Sequence, residues 1–240
     1  TIGLVNVSGS TIARESDFVL PTRAGPEIGV ASTKSFTAQL TVLLCFAVAL
    51  GKAKGAIDKE RAVRIHHRVQ SLPGLVGRVL GLFDLIRPIA HGLSQARSAL
   101  YLGRGTLYPL ALEGALKLKE LSYIHAEGFA SGEMKHGPIA LIEEGLPIVA
   151  LLVANEFMAK ASSNLREAAA RGGQIILITE ERGVSEVDFA DAVITVPNVD
   201  PLLAPILLAV PAQILAYLTA VEKGTDVDQP RNLAKSVTVE

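Results

Sequence analysis

Short apolar runs alternate along this chain with longer stretches of helical period. The runs IGLVNV (2–7), FVL (18–20), SALYLG (98–103), PIVALLV (147–153), QIILIT (174–179) and AVITV (192–196) are rich in β-branched residues. Most are continuous rather than alternating, the pattern of strands covered on both faces. Between them, helices are predicted over 33–50, 58–70, 75–95, 108–124, 156–171 and 203–222. Ser32 and Asn155 stand where N-caps belong, and Gly51 and Gly172 where helices stop. Strands alternating with helices predict an α/β fold built on parallel sheets flanked by helices.

Two segments repeat one plan. IGLVNV leads to SDFVLP, a loop and the apolar helix 34–50; IILITE leads to DFADAVITVP, a loop and the apolar helix 206–221. Ile2 to Asp17 spans 15 positions, and Ile175 to Asp191 spans 16. That reads as one unit used twice. Two further strands with their helices (98–171) precede the second copy, and nothing comparable precedes the first. Thr1 opens straight into a strand pattern, so the chain is expected to begin mid-fold, as part of a longer protein.

Composition narrows the function classes. With 240 residues, 49% of them apolar, the chain can bury a large core. A formal net charge of −1 supplies no basic field for nucleic acid. The single cysteine, Cys45, lies in LTVLLCFAVAL and reads as a small buried hydrophobe. The apolar stretches 40–50 and 206–221 are short or broken by Pro211 and Gln213, which favours buried helices over membrane spans. No secretory leader pattern and no zinc-ligand spacing occur. A soluble cytoplasmic protein without a metal or cofactor is expected.

The richest stretch is YPLALEGALKLKELSYIHAEGFASGEMKHGP, 108–138. At 100° per residue, Glu113, Lys117 and Glu120 fall within about 60° of one another, while Lys119 points away. A solvated face with Glu113 and Lys117 as an i, i+4 pair is one reading. The other starts from the surrounding leucines, Leu112, Leu116, Leu118 and Leu121. They leave little solvated surface, and a buried charge is costly unless paired or used. After the helix, glycines mix with His125, Glu127, Glu133, Lys135 and His136, residues suited to proton transfer near neutral pH. Each also has a structural reading: His125 as a helix cap, His136 in a turn before Pro138. GRG (103–105) and SGST (8–11) are candidate phosphate turns by placement. GRG lacks the third glycine of the dinucleotide pattern, and ordinary turns account for both. His66 and His67 lie among arginines on a helix that reads as solvated.

Three stretches carry a resemblance: AGPEIGVASTKSFTAQLTVLL, LGRGTLYPLALEGALKLKELSYIHAEGFASGEMKHGP and KGTDVDQPRNLAKSVTVE. They resemble the isomerase half of the glutamine–fructose-6-phosphate aminotransferase (glucosamine-6-phosphate synthase) family, over essentially the whole chain. The resemblance implies tandem sugar-isomerase (SIS) domains. Residues 1–57 would be the later part of a first domain truncated at its N-terminal side. Residues 58–224 would form the second domain, and 225–240 an active-site tail. It also implies a separate N-terminal glutaminase that supplies ammonia, a homodimer, and fructose 6-phosphate and glucosamine 6-phosphate as substrate and product. Neither nucleic acid nor membrane is an expected partner.

Site residues follow by motif. In RNLAKSVTVE, Lys235 matches the lysine that forms a Schiff base with the open-chain ketose, and Ala234 matches a sugar contact. In ALKLKE, Glu120 matches the carboxylate that moves a proton between C1 and C2, with Lys117 assisting. In GEMKHGP, His136 matches the ring-opening histidine, which the family supplies from the neighbouring subunit. In GVASTK, Val30 and Ser32 match sugar-contacting positions. The family's Ser/Thr-rich phosphate loop is absent from this sequence, so the chain alone is expected to bind sugar phosphate poorly. A free lysine has a pKa of about 10.4, so the nucleophile needs desolvation or a nearby cation such as Lys117. Two other readings remain: a fructosamine-phosphate deglycase of the same fold, and a non-catalytic sugar-phosphate sensor. The set Lys235, Glu120 and His136 argues against the sensor.

Overall fold

A computed structural model describes residues 1–235. The chain divides into two compact units: Thr1–Leu72 with the chain end from Leu233, and Pro73–Asn232. The last residues of the 225–240 tail lie outside the described part.

In the first unit, β1 (Ile2–Val5) and β2 (Phe18–Pro21) pair in parallel, with Ile2 opposite Phe18 and Val5 opposite Pro21. Between them runs a short helix, α1 (Thr11–Glu15), capped by the Ser10 hydroxyl, which accepts from the Ala13 N–H at 3.3 Å. SGST is thus a helix-capping turn. A loop then leads to α2 (Lys34–Ala53). The expected boundaries shift here. Thr33, not Ser32, occupies the cap position, and Gly51 lies inside α2, which stops at Lys54 before the left-handed Gly55 (φ 69°).

The helix α3 (Lys59–Leu80) includes Pro73, where the sequence pattern predicts a break. Pro73 is exposed, and it leaves the Val69 carbonyl one turn back without its helical donor. The break falls instead at Gly81–Leu82, ahead of α4 (Phe83–Ser94).

The second unit holds a five-stranded parallel sheet in the order β4-β3-β5-β6-β7. Its strands are β3 (Ser98–Gly103), β4 (His125–Ala130), β5 (Pro147–Leu152), β6 (Gln174–Glu180) and β7 (Ala192–Val196). The register aligns Leu100 with Glu127 on one side and with Ile148 on the other. Alternate side chains of these strands serve opposite faces. One face packs Leu100, Leu102, Ile148, Ala150, Leu152, Ile175 and Leu177 against Met158, Ala161 and Leu165 of α6 (Met158–Ala169). The other is covered by α5 (Leu107–Ser122) and α7 (Ala204–Glu222), which pack on each other, with α4 against α7. At the carboxyl edge the fully buried Glu180 accepts from Ala154 N–H, Val199 N–H and Arg182, tying three loops together.

Edge strand β4 is the element that the sequence pattern hides. HAEGFA carries glycine, histidine and glutamate, and among the described residues it pairs only with β3. Gly128 is needed there because a Cβ would lie 2.8 Å from the Leu112 backbone of α5. A Cβ at Gly114 of α5 would likewise lie 2.7 Å from the Tyr101 ring.

Among the described residues, two single helices, α2 and α7, are long and apolar enough to cross a membrane. In α7, 78% of the apolar window is buried inside this chain, as a core helix requires; in α2 none of it is. Cys45 of α2 is correspondingly exposed, contrary to the expectation of burial. Apolar residues occur right round α2, and the described residues bury only Ser35 of it.

Candidate functional site

The helix α5 begins after the GRG turn, whose Arg104 and Gly105 carbonyls accept from the Leu107 and Tyr108 N–H groups. Those amides are spent on the turn, and the Arg104 guanidinium lies 5.6 Å from the centre of the Phe157 ring. GRG is therefore a structural turn.

Along α5 the buried residues include Leu110, Ala111, Gly114, Ala115, Leu118 and Leu121, and Lys117 is among them. Leu112 and Leu116 face outward, contrary to expectation, and leave the burial of Lys117 to the opposite side. The Lys117 side chain is 3% exposed, against 14% for Glu113 and 22% for Glu120. Its Nζ donates to Glu120 Oε2 at 2.6 Å and lies 3.6 Å from Glu113 Oε1. The structure thus decides between the two readings of the stripe: one ammonium is shared by two carboxylates at the buried wall of a helix. Burial pushes the Glu113 carboxyl above its ordinary value; Lys117 opposes this and Glu120 reinforces it. Glu113 Oε1 is buried without a hydrogen bond among the described residues.

Chemically, the group offers a carboxylate, Glu120, held by a short charge-assisted bond and still partly open to a ligand. That is what a carboxylate needs to exchange protons with a bound substrate.

The loop groups behave differently. His136 ends a 3₁₀ segment (Ser131–His136), is 75% exposed, and lies 3.9 Å from Glu133. His125 stands on β4, 3.8 Å from Glu127, and caps no helix. Lys135 pairs with Glu167 of α6 at 2.6 Å, a structural tie. None of these is bonded to the Lys117 group.

In the first unit the tail lysine meets the loop before α2. Lys235 Nζ donates to Glu27 Oε2 at 3.2 Å and to the Gly29 carbonyl at 2.9 Å. Glu27 also accepts from the Ser35 N–H in the first turn of α2. Burial pushes the Glu27 carboxyl up, but the bonds from Ser35 and Lys235 outweigh it and hold it below its ordinary value. Val30 and Ser32 sit half-buried in the same loop, and Ala234 is exposed beside Lys235. Sequence reasoning missed Glu27. PEIGV gives no sign that its carboxylate meets a residue 208 positions away. Among the described residues, no three His, Cys, Asp or Glu side chains cluster as metal ligands.

Comparison with known proteins adds to this geometry. The chain is 56% identical over 238 residues to the isomerizing glutamine–fructose-6-phosphate aminotransferase of Brucella abortus, covering 99% of this chain and 39% of that protein. It is 54% identical, with the same coverage, to the Zymomonas mobilis protein of that name. The chain therefore spans 39% of the length of these relatives. Among solved structures, the C-terminal domain of glucosamine-fructose-6-phosphate aminotransferase from Francisella tularensis superposes with a TM-score of 0.92 at 42% identity. The match covers 95% of this chain and 64% of that one. The SIS domain model matches residues 1–49 and 92–223, which include both β-sheets and α5. With most of its length inside that match, this chain belongs to the SIS domain family.

Proposed function

We propose that this chain is the isomerase portion of an isomerizing glutamine–fructose-6-phosphate aminotransferase. It would convert fructose 6-phosphate and ammonia to glucosamine 6-phosphate and water. One observation carries the reading: 56% identity over 99% of the chain to proteins of that name. Residues 1–57 then belong to a first SIS domain, 58–224 to a second, and 225–240 to the tail. Glutamine-derived ammonia would come from a glutaminase portion outside this chain. The phosphorylated substrates are water-soluble, and we place the enzyme in the cytoplasm.

In this reading Lys235 is the nucleophile. A lysine bonded to a carboxylate and a carbonyl presents no free lone pair, so the Glu27 contact opens before attack. The freed amine adds to C2 of the open-chain ketose, water leaves, and an imine forms. The imine acidifies the C1 proton. Glu120 takes that proton and returns it at C2, while the C1 hydroxyl loses its proton and becomes the aldehyde carbonyl. The lysine leaves before that proton shift: while C2 is still the imine carbon, ammonia adds there and the gem-diamine expels the Lys235 amine, so the imine that Glu120 isomerises carries =NH and the product sugar keeps the amine. A positioned acid–base group of this kind supplies roughly 10² to 10⁴-fold. Lys117 holds Glu120 in place. His136, with its ring in solvent, opens the sugar ring in a neighbouring subunit of a homodimer, and Val30, Ser32 and Ala234 contact the sugar.

Glu120→Gln tests the reading in the full-length enzyme. It is expected to keep sugar-phosphate affinity and to lose exchange of the C1 proton with deuterated solvent by at least about 10². Exchange at the wild-type rate would remove Glu120 from the reaction.

A further inference from the structure

Tyr123 closes α5 in the left-handed conformation, with φ 62° and ψ 13°. That position is usually glycine, because a Cβ is strained there. A tyrosine kept in such a place calls for a use of its side chain. Both parts of that side chain are engaged by one residue. The Tyr123 hydroxyl accepts from the Arg231 N–H at 2.8 Å, and the Arg231 guanidinium lies 4.2 Å from the ring centre. Both residues belong to the second unit.

The chain between α7 and Arg231 is fixed on the way. Thr225 Oγ1 donates to the Leu121 carbonyl at 2.7 Å, also at the end of α5. Asp226 Oδ1 accepts from the Asp228 and Gln229 N–H groups, and Pro230 is buried. Asn232 then turns the chain with φ 62°. Only Asn232, Leu233 and Ala234 separate Arg231 from Lys235. With Arg231 held, the lysine can sweep no further than those residues allow.

We propose that Tyr123 is a positioning residue: it holds the tail at Arg231 so that the Lys235 amine is presented to the sugar carbonyl. The proposal rests on Lys235 as the imine-forming lysine. Holding the tail limits the volume the amine searches, which raises the rate of attack without adding a contact to the substrate.

The test uses the full-length enzyme with fructose 6-phosphate and borohydride. Tyr123→Gly suits the backbone and removes the hold. It is expected to lower kcat and the rate of sugar trapping on Lys235 at least tenfold, with KM changed less than twofold. Trypsin should cleave the Arg231–Asn232 bond faster in this variant. Tyr123→Phe keeps the ring and should restore most of the trapping rate. Should Tyr123→Gly not fold, Arg231→Ala removes the guanidinium from the ring while the Arg231 N–H bond to the Tyr123 hydroxyl stays, and it is expected to lower the trapping rate in the same direction. Wild-type trapping and kcat in the glycine or Arg231→Ala variant would overturn the positioning role while leaving Lys235 as nucleophile. A wild-type enzyme that traps no sugar on Lys235 would overturn both.

Discussion

Lys117 donates to Glu120 at 2.6 Å from within the buried wall of α5, with Glu113 one turn back on the other side. Replacing Lys117 by Met keeps the aliphatic stem and removes the cation between two carboxylates. The variant is expected to lose on the order of 3 kcal/mol of stability, as when one partner of a buried ion pair is deleted. Urea unfolding measures this. A change below about 0.5 kcal/mol, the size of an ordinary surface substitution, would mean that the pair is effectively solvated.

Glu113 predicts a pH dependence. Its folded-state carboxyl titrates above the ordinary 4.5, because burial outweighs the attraction of Lys117. Stability from keeping it protonated is full below the unfolded value and is lost as pH rises through the raised folded value. Glu113→Gln cannot titrate. Its melting temperature relative to wild type should therefore rise as pH increases from about 4.5 through the raised folded value. A difference that stays flat with pH would contradict the shift.

Tyr101 is fully buried on β3, and its hydroxyl has no hydrogen-bond partner among the described residues. Burial pushes its phenol above the ordinary value. Removing an unsatisfied buried hydroxyl without changing the ring is expected to stabilise the protein by about 1 kcal/mol. Tyr101→Phe should raise the urea midpoint. A lower midpoint would show that the hydroxyl is satisfied.

How much of this was legible in the sequence depended on the range of the interaction. The stripe Glu113, Lys117 and Glu120 followed from helical period within one element, and the leucines around it hinted at burial. The continuous apolar runs of β3, β5, β6 and β7 marked strands covered on both faces. By contrast, β4 is an edge strand with little apolar pattern, and only its pairing with β3 and its contact with α5 define it. Cys45 and α2 show the reverse: an apolar run predicts burial, yet composition does not say what covers a helix. The Glu27–Lys235 and Tyr123–Arg231 contacts join residues far apart in the chain, which no local period encodes. Motif likeness suggests a reacting role for Lys235 but gives no hint of the Glu27 carboxylate that its amine meets.

The central claim is that the tail lysine forms the imine. The direct measurement is borohydride reduction of the full-length enzyme with fructose 6-phosphate, followed by peptide mapping. Hydride would convert the imine to a stable secondary amine that carries the sugar phosphate. We predict the added mass on Lys235, and none in a Lys235→Arg variant. Label on another lysine, or no label under turnover conditions, would contradict the account.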